Sequence, residues 1–158
     1  MIKINDAFIE PVSLQAKNVA RLRKNYNFHK EMSDTLHRML NAMEPNTYIC
    51  PHKHENPHKR EVFFCLRGRI AVLEFNNEGE VTDSIILDPK LGSYGTEIAE
   101  CTWHTLIALG PGSVAYEVKD GPYNPIDDKD FAHWAPREGE PGCQEYLKSL
   151  TEKILIIK

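Results

Sequence analysis

From Glu44-Pro45-Asn46 onward, apolar and polar residues follow one another in short runs, each cut off by a turn signal. TYIC (47–50) precedes a histidine-rich segment, and EVFFCL (61–66) ends before Gly68. RIAVLEF (69–75) leads into Asn76-Asn77-Glu78-Gly79, and EVTDSIIL (80–87) stops at DPKLG. TWHTLIAL (102–109) and SVAYEV (113–118) are joined by Gly110-Pro111-Gly112. Short β-branched and aromatic runs at this spacing predict an antiparallel sandwich or barrel, with a tight hairpin at residues 76–79 where Asn and Gly tolerate positive φ.

The two ends read differently. SLQAKNVARLRK (13–24) offers Ser13 as a cap and Leu14, Val19, Ala20 and Leu22 on one side, which predicts a short amphipathic helix. TLHRMLNAM (35–43) fits a helix by propensity and a strand by position; periodicity does not separate them. Residues 120–142 are rich in Pro, Gly and Asp yet carry Tyr123, Phe131 and Trp134, as an ordered loop pinned by aromatic anchors would. CQEYLKSLTEKILIIK (143–158) returns apolar residues at three and four positions and predicts a closing helix.

Composition narrows the partners. The 158 residues suit one domain, and 41% hydrophobic with 27% charged residues are the proportions of a soluble globular protein. Nineteen basic residues are scattered and outnumbered by 23 acidic ones, for a net charge of −4, so nucleic acid is not an expected partner. No apolar run has the length of a membrane span, and the amino terminus lacks the pattern of a secretory signal. Cys50, Cys65, Cys101 and Cys143 are too dispersed for a disulfide framework, which suits reduced packing residues in the cytoplasm.

Candidate chemistry concentrates in CPHKHENPHKREVF (50–63). In a strand, His52 and His54 project to one face, which is ligand spacing. Glu61 opens the next run and shares its face with Phe63 and Cys65, while His104 has apolar same-face neighbours in Leu106 and Ala108, so both are expected to point inward. Two to four nitrogen and carboxylate donors would then converge, a set that suits a divalent first-row metal and leaves positions for water or substrate. His58 competes with Glu61 as the third ligand. It follows Pro57 in a polar connection, whereas Glu61 borders a buried strand, and alternation favours Glu61.

His52-x-His54, six residues, Glu61, six residues, Gly68, and later Gly95 and His104, together resemble the two signature motifs of the cupin superfamily, G-x5-H-x-H-x3,4-E-x6-G and G-x5-P-x-G-x2-H-x3-N. The chain departs from them in a longer spacer between His54 and Glu61, in Ala99 and Cys101 where the second motif has Pro and Gly, and in Ala108 for its Asn. MLNAMEPNTYICPHKH, LRGRIAVLEFNNEGEVT, WHTLIALGPGSVAYEVKDGPYNP and FAHWAPREGE look like the WbuC-type cupin-fold metalloproteins of bacterial O-antigen gene clusters.

The resemblance implies a mainly β fold: a single cupin-type antiparallel, jelly-roll-like β-barrel over residues 35–120, preceded by a helical segment and arm (1–34) and followed by a loop and helix (121–158). It also implies strand structure for residues 35–43. The expected site is one divalent transition metal (Fe, Zn, Mn or Ni) on His52, His54, Glu61 and His104, with His58 as the alternative ligand. The expected partners are a small molecule and a second copy of the chain in a homodimer. Arg38, Trp103, Tyr123 and Trp134 are the expected substrate-binding residues, Arg38 as an anion clamp and the aromatics as a stacking wall, with His29 a further candidate base in an exposed position. The implied activity is that of a metal-dependent isomerase, epimerase or oxygenase on a sugar-derived or oxo-acid substrate in surface-polysaccharide metabolism, or that of a binding module without turnover.

Overall fold

A computed structural model describes residues 1–124 and 129–156 of the chain. Its first helix, α1 (Asp6–Lys17), starts well before the expected Ser13. Asn5 caps it by accepting the Phe8 N–H at 3.1 Å, Asp6 places an acid in the first turn, and Pro11 lies inside the helix. Ile9, Val12, Ser13 and Ala16 form its buried stripe. Where that helix was expected to end, the chain instead forms β1 (Arg23–Asn27).

Nine further strands follow among the described residues: β2 (Leu36–Met43), β3 (His52–Lys53), β4 (Glu61–Arg67), β5 (Ile70–Phe75), β6 (Val81–Leu87), β7 (Gly95–Ile98), β8 (Trp103–Ala108), β9 (Ser113–Asp120) and β10 (Asp130–Phe131). The closing helix is α2 (Cys143–Ile156). The ambiguous residues 35–43 are thus a strand, whereas residues 47–50 are not; Tyr48 and Cys50 are nevertheless buried there.

The strands form two antiparallel five-stranded sheets in the orders β1-β2-β9-β4-β7 and β10-β3-β8-β5-β6. This is the mainly β, jelly-roll-like architecture expected of a cupin type, built as two sheets. Met43, Phe63, Ile70, Val72, Leu87 and Leu106 belong to the buried cluster that unites residues of both sheets. Part of each outer face is covered as well. Ile9, Val12 and Ala16 of α1 cluster with Leu40, Ala42 and Val114, and Leu147, Leu150 and Ile154 of α2 cluster with Leu73, Trp103 and Ile107. Period-2 alternation therefore sends one set of residues inward and the other under a helix, which explains why β8 is buried at every position. All four cysteines are free; Cys50 and Cys65 are packing residues, but Cys101 is exposed, contrary to expectation.

The chain passes from one sheet to the other between β4 and β5, at Gly68. Its φ is +80°, and a Cβ there would collide with Ser113 Oγ and lie 2.7 Å from Ser113 Cα. Ser113 is held in turn, since its hydroxyl accepts the Arg69 N–H at 3.2 Å. Both the backbone and the close approach demand glycine. Gly68→Ala should cost about 2 kcal/mol, whereas Gly110→Ala, where a Cβ meets nothing within 4 Å, should change stability by less than about 0.5 kcal/mol. Urea denaturation of both variants checks the contrast.

The segment leading to α2 is clamped to β1 by Glu138, which lies 2.8 Å from Arg21 Nε and 2.6 Å from an Arg23 guanidinium nitrogen. Burial pushes the Glu138 carboxyl up, but the hydrogen bonds from Arg21 and Arg23 outweigh it and hold the group at about 2. A carboxylate depressed in this way contributes stability above its ordinary pKa and loses it as pH falls through the folded value. The side chains of Arg21 and Glu138 are 64% and 37% exposed, so solvent screening reduces the contribution to about 1 kcal/mol. Glu138→Gln should lower stability by that amount at pH 7, with the gap from wild type closing between about pH 4.5 and pH 2 in a series of denaturation curves.

Candidate metal centre

Histidine and carboxylate come to the interior from opposite sheets. His52 on β3 stands directly across from His104 on β8, so both side chains leave the sheet on the same face, with ring centroids 4.5 Å apart. His54, two positions later, returns to that side at 5.4 Å from the His52 ring. Glu61 opens β4 in the facing sheet, 3.3 Å from His54 Nε2 and 2.6 Å from His104 Nε2. One donor atom from each of the four residues lies within 4.8 Å of all the others, and all four residues are buried.

Hydrogen bonds orient two of the rings. The Nδ1–H of His52 donates to the Cys50 carbonyl at 3.0 Å, and that of His104 to the Thr102 carbonyl at 2.9 Å, each leaving Nε2 directed toward the cluster. Burial, reinforced by the charge of Lys129, holds His52 well below its ordinary pKa and therefore neutral. Burial alone would raise Glu61, but His104 and His54 against its carboxylate hold it well below the usual range. The centre therefore combines a neutral His52 imidazole with an ionised Glu61 carboxylate.

Such groups are not self-sufficient. His104 Nε2 and Glu61 Oε2 are buried with no aligned hydrogen-bond partner, even though they are only 2.6 Å apart. Buried polar atoms without partners are rare because each costs about 1–3 kcal/mol. Ligands about 2.0–2.2 Å from a shared ion stand roughly 3–4.4 Å apart, so the donor set fits a divalent metal after small side-chain adjustments. His58 lies outside this set. Its Nδ1 is 2.9 Å from Cys101 Sγ at the exposed end of the connection.

His52 and Glu61 also reach the wall of a cavity of about 710 Å³. Strand register arranges the floor of this cavity in rows. His37, Lys119 and Glu61 stand side by side across β2, β9 and β4; Met39, Glu117 and Phe63 form the next row. Asn41, one row further along β2, donates its side-chain amide to Glu117 Oε2. Burial, with a smaller contribution from the Glu61 charge, pushes the Glu117 carboxyl up to about 7. These polar residues escaped the sequence reading, although the parity of SVAYEVKD (113–120) assigns Glu117 and Lys119 to the same face as Ala115.

The expected substrate residues fare unevenly. Tyr123 lines the cavity. Arg38 shares its face with Leu40 and Ala42, which pack toward α1, and its guanidinium reaches the Phe28 carbonyl, so strand parity directs it away from the cavity. Trp103 faces the opposite side of β8 from His104; it is buried in the cluster beneath α2 and donates to Asn77 Oδ1 at 3.0 Å. Trp134 packs against the same outer cluster and over Gly79. Neither indole is part of a stacking wall. His29 is buried rather than exposed, stacked on His37 with ring centroids 4.0 Å apart.

The fold has solved counterparts. The capsular polysaccharide assembling protein CapF from Staphylococcus aureus matches with a TM-score of 0.57 and 17% identity, over 69% of this chain and 29% of that one. CapF with the inhibitor 3-isopropenyl-tropolone matches at 0.59 and 20% identity, over 72% and 32%. The Lactobacillus farciminis oxalate decarboxylase formate complex matches at 0.50 and 15%, over 69% and 31%. The chain thus spans about a third of the length of these proteins, and likeness at such identities concerns the fold. No curated protein matches it in sequence. A model of the family described as a domain of unknown function, DUF6016, matches residues 4–87, from α1 through β6 and including His52, His54 and Glu61; the chain belongs to that family.

Proposed function

We propose that the protein holds one divalent transition metal, of the Fe, Zn, Mn or Ni type, on His52, His54, Glu61 and His104, and binds a small oxygenated anion in the adjoining cavity. The observation that carries this reading is the convergence of one donor atom from each of four buried residues within 4.8 Å of one another, with His104 Nε2 and Glu61 Oε2 lacking an aligned hydrogen-bond partner there. A bound metal would polarise a substrate oxygen or acidify a bound water there. The chain's own contribution is to exclude water behind the ligands, fix the imidazoles through the Cys50 and Thr102 carbonyls, and leave His52 and Glu61 open to the cavity.

Arg21, Arg23, Lys24, Lys119 and Lys129 line the same cavity against Glu61, Glu117 and Glu138, an excess of basic groups that suits an anion. This reading favours a metal-dependent enzyme over a purely structural metal site, because a structural ion needs neither a cavity of this size nor polar residues along it. We place its substrate among sugar-derived or oxo acids of bacterial surface-polysaccharide metabolism. That assignment is supported by the WbuC-type sequence resemblance and by a structural neighbour that assembles capsular polysaccharide.

Elemental analysis of purified protein tests the centre. Wild type and His58→Ala should carry about one metal equivalent, whereas His52→Ala, His54→Ala, Glu61→Ala and His104→Ala should bind it at least ~10-fold more weakly. Full metal content in all four variants would refute the assignment. Calorimetry should also show tropolone, an oxygen chelator, binding to metal-loaded but not to metal-stripped protein.

A further inference from the structure

The inner face of β9 carries polar residues where a jelly-roll interior ordinarily carries aliphatic ones. Glu117 is 8% exposed and Lys119 5% exposed, and both line the cavity together with Asn41. Burying two charges and an amide beside Met39, Met43 and Phe63 is costly, and the donor cluster itself recruits only Glu61 from this sheet. Lys119 Nζ is 4.0 Å from Glu61 Oε1 and 5.8 Å from the centre of the Tyr123 ring, so the ammonium stands between the donor cluster and the cavity's aromatic edge.

We propose that Lys119, Glu117 and Asn41 form a hydroxyl-recognition subsite, and that the ligand is an open-chain polyhydroxylated carboxylate of about six carbons. The assignment rests on the reading above in one respect: the carboxylate end of the ligand lies at the metal centre. The remainder follows from the row of polar groups. Lys119 supplies donors, Glu117 supplies acceptors, and the Asn41 amide fixes one Glu117 oxygen by donating to it while its own carbonyl oxygen is an acceptor. Alternating donors and acceptors match hydroxyl groups, each of which both donates and accepts. A second carboxylate on the ligand would meet Glu117, and a hydrocarbon tail would strip water from all three residues without replacing its hydrogen bonds. Distance agrees. Glu61 and Glu117 stand one strand and two residues apart in register, about 8 Å between Cα positions from ordinary strand spacing and rise, which an extended six-carbon chain spans. Met39 and Phe63 flank Glu117 in its row and offer apolar contact to the carbon-bound hydrogens of such a chain.

Calorimetry with metal-loaded protein tests the subsite, using D-gluconate, D-galactonate and D-mannonate against 2-hydroxyhexanoate. The last keeps the carboxylate and the neighbouring hydroxyl that a metal chelates and lacks every distal hydroxyl. The best of the three sugar acids should bind at least ~10-fold tighter than 2-hydroxyhexanoate, because a site built for hydroxyls discriminates strongly against their loss. Glu117→Gln and Asn41→Leu should each weaken the sugar acid by ~10-fold or more and leave 2-hydroxyhexanoate within twofold. Equal affinities for all four ligands, or equal losses for both ligand classes in the variants, would overturn the subsite. The wild-type comparison stands even if a variant fails to fold. Repeating it after metal removal separates the two readings. Discrimination that survives in a protein without any metal stoichiometry retains the subsite and discards the metal centre; metal-dependent binding without discrimination does the reverse.

Discussion

The placement of the Glu61 carboxylate against imidazoles from the facing sheet is the constraint on which the interior depends. Three of the four converging residues come from β3, its continuation and β8, whereas Glu61 arrives alone from β4. Each sheet must therefore present its ligand residues with the correct parity, and a one-residue slip in either would turn them to its outer face. The His52–His104 pairing fixes parity on one side and the Glu61–Lys119 pairing fixes it on the other. Outer-face packing by α1 and α2 opposes such a slip, since Leu40, Val114, Leu73 and Ile107 would be expelled from the buried clusters they now occupy.

Polarity inside the sandwich is graded rather than uniform. Near Gly68 the sheets meet over Cys65, Ile70, Ala108 and Ala115, all buried and apolar. Toward the other end of the same strands, Phe63 and Leu106 give way to Glu61, His104, Glu117 and Lys119. The apolar end contributes the burial that holds the sheets together, and the polar end gathers the buried ionisable groups, with His104 Nε2 and Glu61 Oε2 lacking an aligned partner. Stability and ligand chemistry are thus assigned to opposite ends of the same strands. The cost of burying the charges falls where the proposed ion and its ligand would offset it.

Much of this was legible in the sequence because strand parity is a local property. The runs at residues 61–66, 69–75, 80–87, 102–109 and 113–118 coincide closely with β4, β5, β6, β8 and β9, and inward parity brings His52, His54, Glu61 and His104 together in space. The helix α1 was misplaced because Pro11 reads as a boundary, although Asn5 and Asp6 form a good start signal upstream of it. β1 carries no apolar alternation; as an edge strand with four exposed positions out of five, it is specified by pairing with β2. Arg38, Trp103 and Trp134 were assigned to the pocket from residue type and proximity in sequence. A neighbour of an inward residue on a strand points outward, so adjacency to His104 places Trp103 on the wrong face.

The same geometry explains why the first motif includes a glycine that touches none of the four clustered residues. β4 begins at Glu61 and runs to the corner at Gly68, and β5 begins two residues later in the other sheet. β5 then pairs with β8, bringing Glu74 opposite His104. One continuous stretch therefore carries the carboxylate on one sheet and supports the strand that holds a histidine on the other. Gly68 sets the angle at which these two halves meet, with Ser113 of β9 packed into the space a side chain would occupy. The six-residue interval between Glu61 and Gly68 is the length of strand from the cluster to that corner. A change at Gly68 would reach the donor cluster by rotating one sheet against the other, without altering any ligand.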